Sequence, residues 1–262
     1  MTCRFALGAL LSALFLVATV QADELVVGAN IGNVPWEFAD RGGEFVGFEI
    51  DLITEVARRL GHTVDVVNIP FNGLFSAVQS GRIDVALSSM TITEKRLASV
   101  SFAQPYYDSA QSLTVLSSSN ATGLGDMRGA IIGVDTGSTG DMWTTENSER
   151  FGFGEIRRFE GLAPAMLDLQ TRRIDAYISD IPSLQYFAKD KPQFKVIERI
   201  ETGERYSMMF ARNSRWVDPM NDVISTLKEE GFVADLHERW FGAAPAAGSS
   251  TVRVADRPSL AR

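Results

Sequence analysis

Two pairs of stretches along the chain repeat the same order of apolar and polar positions. Residues 79–89 recur as residues 170–180, and residues 26–30 recur as residues 131–135. Each stretch contains an apolar run that ends in a polar residue, which is typical of a buried strand in a parallel sheet that delivers a side chain to a site. The repeat therefore predicts two α/β lobes of similar construction.

The polar residues that end these four runs are the first candidates for a functional site. In open α/β sheets, ligands bind beyond the carboxyl ends of the strands. The four residues at these ends are Asn30, Ser89, Asp135 and Asp180.

The rest of the pattern predicts strands and helices in alternation. Predicted strands cover residues 25–29, 64–69, 83–87, 112–116, 131–135, 174–179, 196–197 and 206–211. Predicted helices cover residues 52–60, 73–79, 163–170, 182–188, 219–229 and 233–240. Such alternation indicates the α/β fold class, with a central, mostly parallel sheet flanked by helices in each lobe.

Lobe 2 is predicted to be an insertion in lobe 1. Lobe 1 comprises residues 23–110 plus 206–242, because the elements of its second part are too few to form a core alone. Lobe 2 comprises residues 111–205. Two closely spaced connections between the lobes would form a two-segment hinge that allows closure around a ligand. Residues 243–262, rich in Ala, Pro, Gly and Ser, are predicted to be a disordered tail.

Residues 1–22 have the pattern of a cleavable secretory signal peptide. Arg4 precedes an apolar run over residues 5–20, and Ala22 provides a small residue at the cleavage site. The run is shorter than the roughly 20 apolar residues of a membrane-spanning helix. We expect cleavage after Ala22 and a mature protein in the periplasm.

Composition excludes several classes of function. The one cysteine, Cys3, lies in the predicted signal peptide, so the mature chain would have no disulfide and no cysteine-based catalytic or metal site. Loss of Arg4 changes the formal net charge from −8 to −9. An acidic chain without a Lys/Arg run argues against nucleic acid or an anionic membrane as a partner. We expect a monomer that holds no metal or cofactor.

Residues 88–96 carry the sharpest chemical signal. Ser89 and Thr91 follow a strand, and Thr93 can cap the next helix. Arg96 lies near the start of that helix, where a cation opposes the helix dipole unless an anion binds there. A carboxylate held by Arg96 is the functional interpretation, and a solvated surface arginine is the alternative.

Asp180 ends the matching strand of the other lobe. If Asp180 faces Arg96 across the cleft, the pair offers one anion and one cation to a zwitterion, and an α-amino acid fits. The alternative is that Asp180 only caps the helix that follows.

Residues 135–140 read Asp-Thr-Gly-Ser-Thr-Gly, which resembles an aspartic-protease signature. Such an enzyme needs a second carboxylate motif, and this chain has none. The loop is interpreted instead as an anion-binding nest in which Gly137, Ser138 and Thr139 start a helix. Phe71 is either a wall of the cleft or part of the core.

Several motifs together resemble the periplasmic solute-binding proteins of family 3, the polar amino-acid-binding components of bacterial ABC importers. The similarity covers residues 24–242. Its motifs are residues 34–38, 47–52, 88–96, 102–107, 174–176 and 240–242. The resemblance implies the two-lobed periplasmic-binding-protein fold, an amino acid as ligand and an ABC importer permease as partner.

The resemblance also assigns roles to individual residues. Arg96 would bind the ligand α-carboxylate, helped by Thr91, Ser138 and Thr139. Ser89, Thr91 and Asp180 would take the α-amine, and Phe71 would flank the ligand. The positions that vary in the family to select the ligand side chain are Asn30, Asn33, Glu49, Asp135 and Ser179. Asn30, Asn33 and Glu49 depart from common family residues, so no relative's ligand is transferred.

The charge of Asp135, with Glu49 expected behind it, favours a ligand with a cationic or donor side chain: arginine, lysine, histidine or glutamine. The alternative is that Asp135 caps the loop at residues 136–138. A rival function is a cyclohexadienyl-dehydratase-like enzyme on the same scaffold, with Glu37, Glu49 or Asp135 as its acid or base. A sensor module of a larger receptor is a third hypothesis.

Overall fold

A computed structural model describes residues 23–260, and its first part contains four strands of one sheet, a separate two-stranded sheet (the second and third strands) and three helices. The strands are β1 (Glu24–Ala29), β2 (Phe38–Ala39), β3 (Phe45–Val46), β4 (Thr63–Asn68), β5 (Val85–Leu87) and β6 (Val100–Phe102). The helices are α1 (Phe48–Arg59), α2 (Phe71–Gln79) and α3 (Glu94–Leu97).

The chain then builds a second sheet and returns to the first. The second sheet contains β7 (Tyr107–Leu116), β8 (Ile131–Asp135), β9 (Glu155–Phe159), β10 (Ala176–Asp180) and β11 (Phe194–Tyr206). A 3₁₀ turn (Leu124–Asp126) and the helices α4 (Thr139–Phe151), α5 (Leu162–Gln170) and α6 (Ile181–Ala188) accompany it. The returning elements are β12 (Met209–Ala211), α7 (Val217–Glu229) and α8 (Phe232–Phe241).

The two sheets have matching topologies, which confirms the predicted two-lobed α/β fold. Their strand orders are β4-β1-β5-β12-β6 and β11-β7-β10-β8-β9. The β4-β1-β5 and β10-β8-β9 pairings are parallel, whereas the other pairings in each sheet are antiparallel. Each sheet is therefore mixed, because one strand in each runs opposite to its two neighbours. That strand is β12 in the first sheet and β7 in the second.

The lobes are connected by two paired strands. The chain enters lobe 2 along β7 and leaves it along β11, and these strands pair antiparallel from Phe194 opposite Leu116 to Tyr206 opposite Tyr107. The pairing is interrupted between Ile200 and Glu204. The lobe limits at residues 110/111 and 205/206 stay a prediction.

Each sheet of the fold buries both faces. In β5, Val85 and Leu87 join one apolar cluster with α1, α7 and α8, whereas Ala86 joins a second cluster with α2. In β10, Ala176 and Ile178 likewise face one cluster and Tyr177 faces the other. Strands buried on both faces explain the continuous apolar runs in the sequence.

The C-terminal segment contradicts the expectation of disorder up to residue 260. The Ser250 hydroxyl and backbone N–H donate to the carboxylate of Asp108 at 2.5 and 2.8 Å. The buried ammonium of Lys228 donates to the carbonyl of Arg253 at 3.0 Å. Residues 243–260, called here the C-terminal strap, thus contact the first residues of β7. Their composition is typical of disorder, but the buried Lys228 and the exposed Asp108 of lobe 1 bind their backbone.

Two further predictions concern membrane and export features. No helix within residues 23–260 is long and apolar enough to cross a membrane. The predicted signal peptide, residues 1–22, lies outside the described residues.

Candidate functional site

All ten residues predicted to bind a ligand line one cavity between the lobes. The cavity is small and partly open to solvent. Its walls consist of Asn30, Asn33, Phe71, Ser88, Ser89, Thr91, Arg96, Asp135, Ser138, Thr139, Leu162, Ser179, Asp180 and Ser183. The parallel strands of both lobes point their carboxyl ends at this space, which is where α/β proteins bind ligands.

Arg96 is buried at the cavity rather than solvated at the surface. Its side chain is held by the carbonyls of Thr91 at 2.7 Å and Gly137 at 3.4 Å, which belong to different lobes. Its guanidinium also lies 5.5 Å from the ring centre of Phe71. Burial lowers the pKa of Arg96 to about 10, and the negative charges of Glu204 and Asp180 oppose that shift. The guanidinium therefore stays charged at neutral pH.

Phe71 and the start of α3 hold this cation in place. Thr93 caps α3 by accepting a hydrogen bond from the Arg96 N–H at 3.1 Å, as its sequence position predicts. Phe71 begins α2 and also packs against the second apolar cluster of lobe 1. Phe71 is therefore both a wall of the cavity and a neighbour of the core.

The loop before α4 is less open to an anion than its sequence predicts. The Gly137 N–H donates to the Asp141 carboxylate at 3.1 Å, and the Ser138 N–H donates to the carbonyl of Asp135 at 3.1 Å. The Ser138 hydroxyl caps α4 by accepting from the Asp141 N–H at 3.0 Å. The predicted nest is therefore largely closed by its own contacts. The Thr139 hydroxyl faces the Thr91 hydroxyl across the cleft at 3.4 Å.

Asp180 lies on the lobe 2 side of the cavity and makes no capping bond to α6. Its carboxylate accepts hydrogen bonds from the Ser89 hydroxyl at 2.9 Å and from the Gln111 amide at 2.6 Å. Burial raises the pKa of Asp180, and these donors together with Tyr206 act in the opposite direction. The contact with Ser89 crosses the cleft, so Asp180 helps to join the lobes.

Ser89 is held in an unusual backbone conformation that aims its side chain at lobe 2. Its φ of 43° lies in the left-handed region that favours glycine. The Ser89 N–H donates to the Glu49 carboxylate at 3.0 and 3.2 Å, and the hydroxyl accepts from Asn33 at 3.1 Å. Asn33 in turn accepts from Ser183 of α6 at 3.2 Å. Asn33 and Ser89 therefore form an interlobe contact at the edge of the cavity.

Asp135 ends β8 as a half-buried residue that lines the cavity. Its side chain accepts one hydrogen bond from the Gly161 N–H at 3.1 Å and does not cap the loop at residues 136–138. None of the ion pairs within residues 23–260 includes Asp135. Burial raises the pKa of Asp135 to about 7, and the hydroxyl of Tyr177 acts in the opposite direction.

Glu49 does not lie behind Asp135, contrary to the sequence-based expectation. It is buried in lobe 1, where it also accepts a short hydrogen bond from the hydroxyl of Tyr106. Its neighbour is Glu37, whose pKa is raised well above its ordinary value by burial and then by the charge of Glu49. The two carboxyl groups form a pair that supports Ser88 and Ser89 from behind.

Two buried polar residues next to the cavity were missed. Gln111 of β7 and Glu204 of β11 touch each other, with the Gln111 amide nitrogen 2.9 and 3.0 Å from the two Glu204 oxygens. Both come from the strands that cross between the lobes. Residue spacing could have identified Glu204, because it lies an even number of residues from the buried Ile200 and Tyr206 and therefore faces the same side of β11.

Within residues 23–260, no group of three or more His, Cys, Asp or Glu side chains is arranged to hold a metal ion. The side chains at the cavity instead provide a cation from lobe 1, carboxyl groups from lobe 2 and hydroxyls from both. Such groups can bind a small zwitterion by charge-assisted hydrogen bonds.

Comparison with known proteins agrees with this geometry. The chain is 28% identical to the arginine-binding extracellular protein ArtP of Bacillus subtilis over 221 residues, which are 83% of this chain and 86% of ArtP. It is 26% identical to the L-cystine-binding protein TcyJ of Escherichia coli over 228 residues, 84% of this chain and 83% of TcyJ. The crystal structure of the arginine-, lysine-, histidine-binding protein ArtJ from Geobacillus stearothermophilus matches with a TM-score of 0.78 and 30% identity, over 85% of this chain and 97% of that chain.

The family model of the bacterial extracellular solute-binding proteins, family 3, matches residues 25–243. That range includes both sheets and every residue of the cavity. The resemblance inferred from the sequence motifs is thereby confirmed, and the chain belongs to the bacterial extracellular solute-binding proteins, family 3.

Proposed function

We propose that this protein binds a polar or basic L-amino acid between its lobes, outside the cytoplasm, and delivers it to an ABC importer. The observation that carries the proposal is the placement of Arg96 and Asp180 at one cavity, each coming from a different lobe. The relatives named above bind amino acids, which supports the same class of ligand here.

The backbone groups of the ligand match the two charged sides of the cavity. The α-carboxylate pairs with Arg96, whose guanidinium is the planar donor that suits a carboxylate. The Thr91 and Thr139 hydroxyls add donors from both lobes. The α-ammonium pairs with Asp180, next to the Ser89 hydroxyl.

A basic or amide side chain suits the rest of the cavity. Asp135 is half-buried and belongs to none of the ion pairs within residues 23–260, and removing a carboxylate from water is costly unless it is paired. An arginine, lysine or histidine ligand would provide the charge, and glutamine would provide donors. The names of ArtP and ArtJ agree with this choice, whereas that of TcyJ shows that family membership alone does not fix the ligand.

Ligand binding couples to closure because each ligand charge contacts a different lobe. In the closed arrangement, direct contacts such as Trp36 to Ser183 at 3.0 Å and Asn72 to Glu160 at 3.3 Å join the lobes. A ligand that bridges Arg96 and Asp180 adds to these contacts and shifts the equilibrium towards closure.

The enzyme alternative gains no support from the comparisons. Two of its three proposed acid or base groups, Glu37 and Glu49, do not line the cavity and bond to each other and to lobe 1. A binding protein that releases its ligand unchanged to a permease accounts for the site. We further propose that residues 1–22 are cleaved on export and that the mature protein is a monomer; N-terminal sequencing and light scattering test these points.

The direct test is calorimetric titration of the mature protein with each of the twenty amino acids. We expect the tightest binding from arginine, lysine, histidine or glutamine and little from aspartate or glutamate. A thermal-shift screen is a second test of binding, since a ligand at 100 times its Kd adds about 2.7 kcal/mol of stability. Tight glutamate binding would overturn the assignment of Asp135, and no binding by any amino acid would overturn the function.

A further inference from the structure

The amide of Gln111 is shared by two carboxyl groups at the floor of the cavity. Its nitrogen lies 2.6 Å from Asp180 Oδ1, 2.9 and 3.0 Å from the Glu204 oxygens and 3.3 Å from Thr139 Oγ1. An amide nitrogen carries two hydrogens, so it cannot satisfy four acceptor oxygens at once. The Ser89 hydroxyl adds a donor to Asp180 and Thr139 adds one to Glu204, so two adjacent carboxyl groups share a small set of uncharged donors.

The surroundings do not correct the imbalance of charge. Glu204 is 5% exposed and is therefore shielded from water. Arg96 is the cation that faces the pair, and its single charge opposes two carboxylates. The other titratable groups that act on Asp180 or interact with it are acidic or phenolic: Glu49, Asp135, Tyr177 and Tyr206. Buried carboxyl groups in such a cluster do not all ionise at neutral pH.

The group formed by Asp180, Gln111 and Glu204 is called here the carboxyl clasp. We propose that the carboxyl clasp holds one proton when no ligand is bound, and that the α-ammonium of the ligand displaces this proton to the solvent. Amino-acid binding is then proton-linked, and Glu204 is a positioning residue that acts through Gln111 and Asp180. The inference rests on the proposed function, because it takes Asp180 as the partner of the ligand ammonium.

The sign of the effect follows from the location of the charges. Burial, and then the charge of Asp180, raise the pKa of Glu204 to about 7. A ligand ammonium beside Asp180 favours the ionised form of the clasp and lowers its pKa, so a proton leaves as the ligand arrives. Affinity therefore falls as the pH falls. With a free-state pKa of about 7, affinity decreases about tenfold from pH 8 to pH 6.

The number of protons released is measured with L-glutamine as the probe, because a cationic ligand side chain would also displace a proton from Asp135, whose pKa is about 7 as well. Calorimetry in buffers of different ionisation enthalpy gives the protons exchanged per ligand bound. For the wild type we expect release of about 0.9 proton at pH 6, about 0.5 at pH 7 and about 0.1 at pH 8. The Glu204→Gln variant keeps the size of the side chain and cannot ionise, so its proton release and the pH dependence of its affinity should be lost.

The matched control is Glu201→Gln, an exposed carboxylate of the same strand that pairs with Arg199. It should keep the wild-type proton release. Equal release by the wild type and Glu204→Gln, or an affinity that is flat with pH in the wild type, would overturn the proposal.

A ligand-free measurement separates this proposal from the proposed function. If the clasp holds a proton, urea midpoints of the wild type should decrease between pH 6 and pH 8 relative to those of Glu204→Gln. In one outcome, the wild-type urea midpoint falls more steeply with pH than that of Glu204→Gln while no amino acid gives a heat of binding. That result would overturn the proposed function and the displacement of the proton by a ligand, but it would support the bound proton. Identical pH profiles of the two proteins would exclude the bound proton itself.

Discussion

Ser89 of lobe 1 donates its hydroxyl hydrogen to Asp180 of lobe 2 across a distance of 2.9 Å. The carboxylate that is proposed to receive the ligand ammonium is thus also a contact between the closed lobes. Ligand recognition and closure therefore depend on the same two side chains.

The first prediction concerns the charges that face the ligand. Arg96→Ala and Asp180→Ala should each weaken amino-acid binding by about 2–5 kcal/mol, because each leaves one ligand charge buried without a partner. Lys95→Ala is the control, since Lys95 is an exposed cation on the same short helix. Titration calorimetry measures all three variants. Near-wild-type affinity in either test variant would remove that residue from the site.

The second prediction concerns selectivity. Asp135→Asn should reduce arginine binding by about 1.5–3 kcal/mol, the range for hydrogen bonds to charged groups, and should change glutamine binding much less. Asp190→Asn changes an exposed carboxylate of the same lobe and serves as the control. Competition binding gives the order of ligands. An order that is the same in the wild type and Asp135→Asn would place the ligand side chain elsewhere.

The third prediction concerns the Glu37–Glu49 pair. Glu37 is buried, and its raised pKa means that the folded protein binds its proton more tightly than the unfolded chain does. The stability from this proton is fully present below the unfolded pKa of about 4.5 and is lost as the pH rises towards the folded pKa. The loss is about 1.4 kcal/mol per pH unit.

Glu37→Gln mimics the protonated side chain and should remove this part of the pH dependence. Urea unfolding from pH 5 to pH 8 compares it with the wild type and with Glu44→Gln, an exposed control. The same slope in Glu37→Gln and the wild type would show that Glu37 is ionised in the folded protein.

The fourth prediction concerns the C-terminal strap. Ser250→Ala should lower the free energy of unfolding by about 0.5–1.5 kcal/mol, because it removes one of the two hydrogen bonds from Ser250 to the exposed carboxylate of Asp108. Ser249→Ala is a close control, since the Ser249 hydroxyl is buried without a hydrogen-bond partner in residues 23–260. That change should be neutral or slightly stabilising. Equal effects of the two substitutions would mean that the strap does not bind Asp108.

Much of the site was predictable from the ends of parallel strands. Asn30, Ser89, Asp135 and Asp180 were selected because apolar runs end at these residues, and all four line the cavity. The reason is geometric, because parallel strands of one sheet end at the same edge.

The contacts that depend on tertiary structure were not predictable. Gln111 and Glu204 lie in antiparallel crossing strands, where residue spacing puts Glu204 on the same side as Ile200 and Tyr206 but does not show that its carboxyl group meets Gln111 and Asp180. The free N–H groups expected at Gly137 and Ser138 are occupied by Asp141 and Asp135, and only coordinates reveal such local competition. Order in the C-terminal strap depends on Lys228 and Asp108, which are far from it in sequence.

Trp36 is an intrinsic fluorescence probe of the cleft. Its indole N–H donates to Ser183 across the cleft, and its ring packs edge-on against Tyr107 and Tyr206. The indole N–H groups of Trp216 and Trp240 bond to aspartates of their own lobe. Trp143 packs against Phe151 within lobe 2. Opening of the cleft would expose the Trp36 indole to water and leave the other three tryptophans unchanged, so the change in fluorescence can time the arrival and release of a ligand without a label.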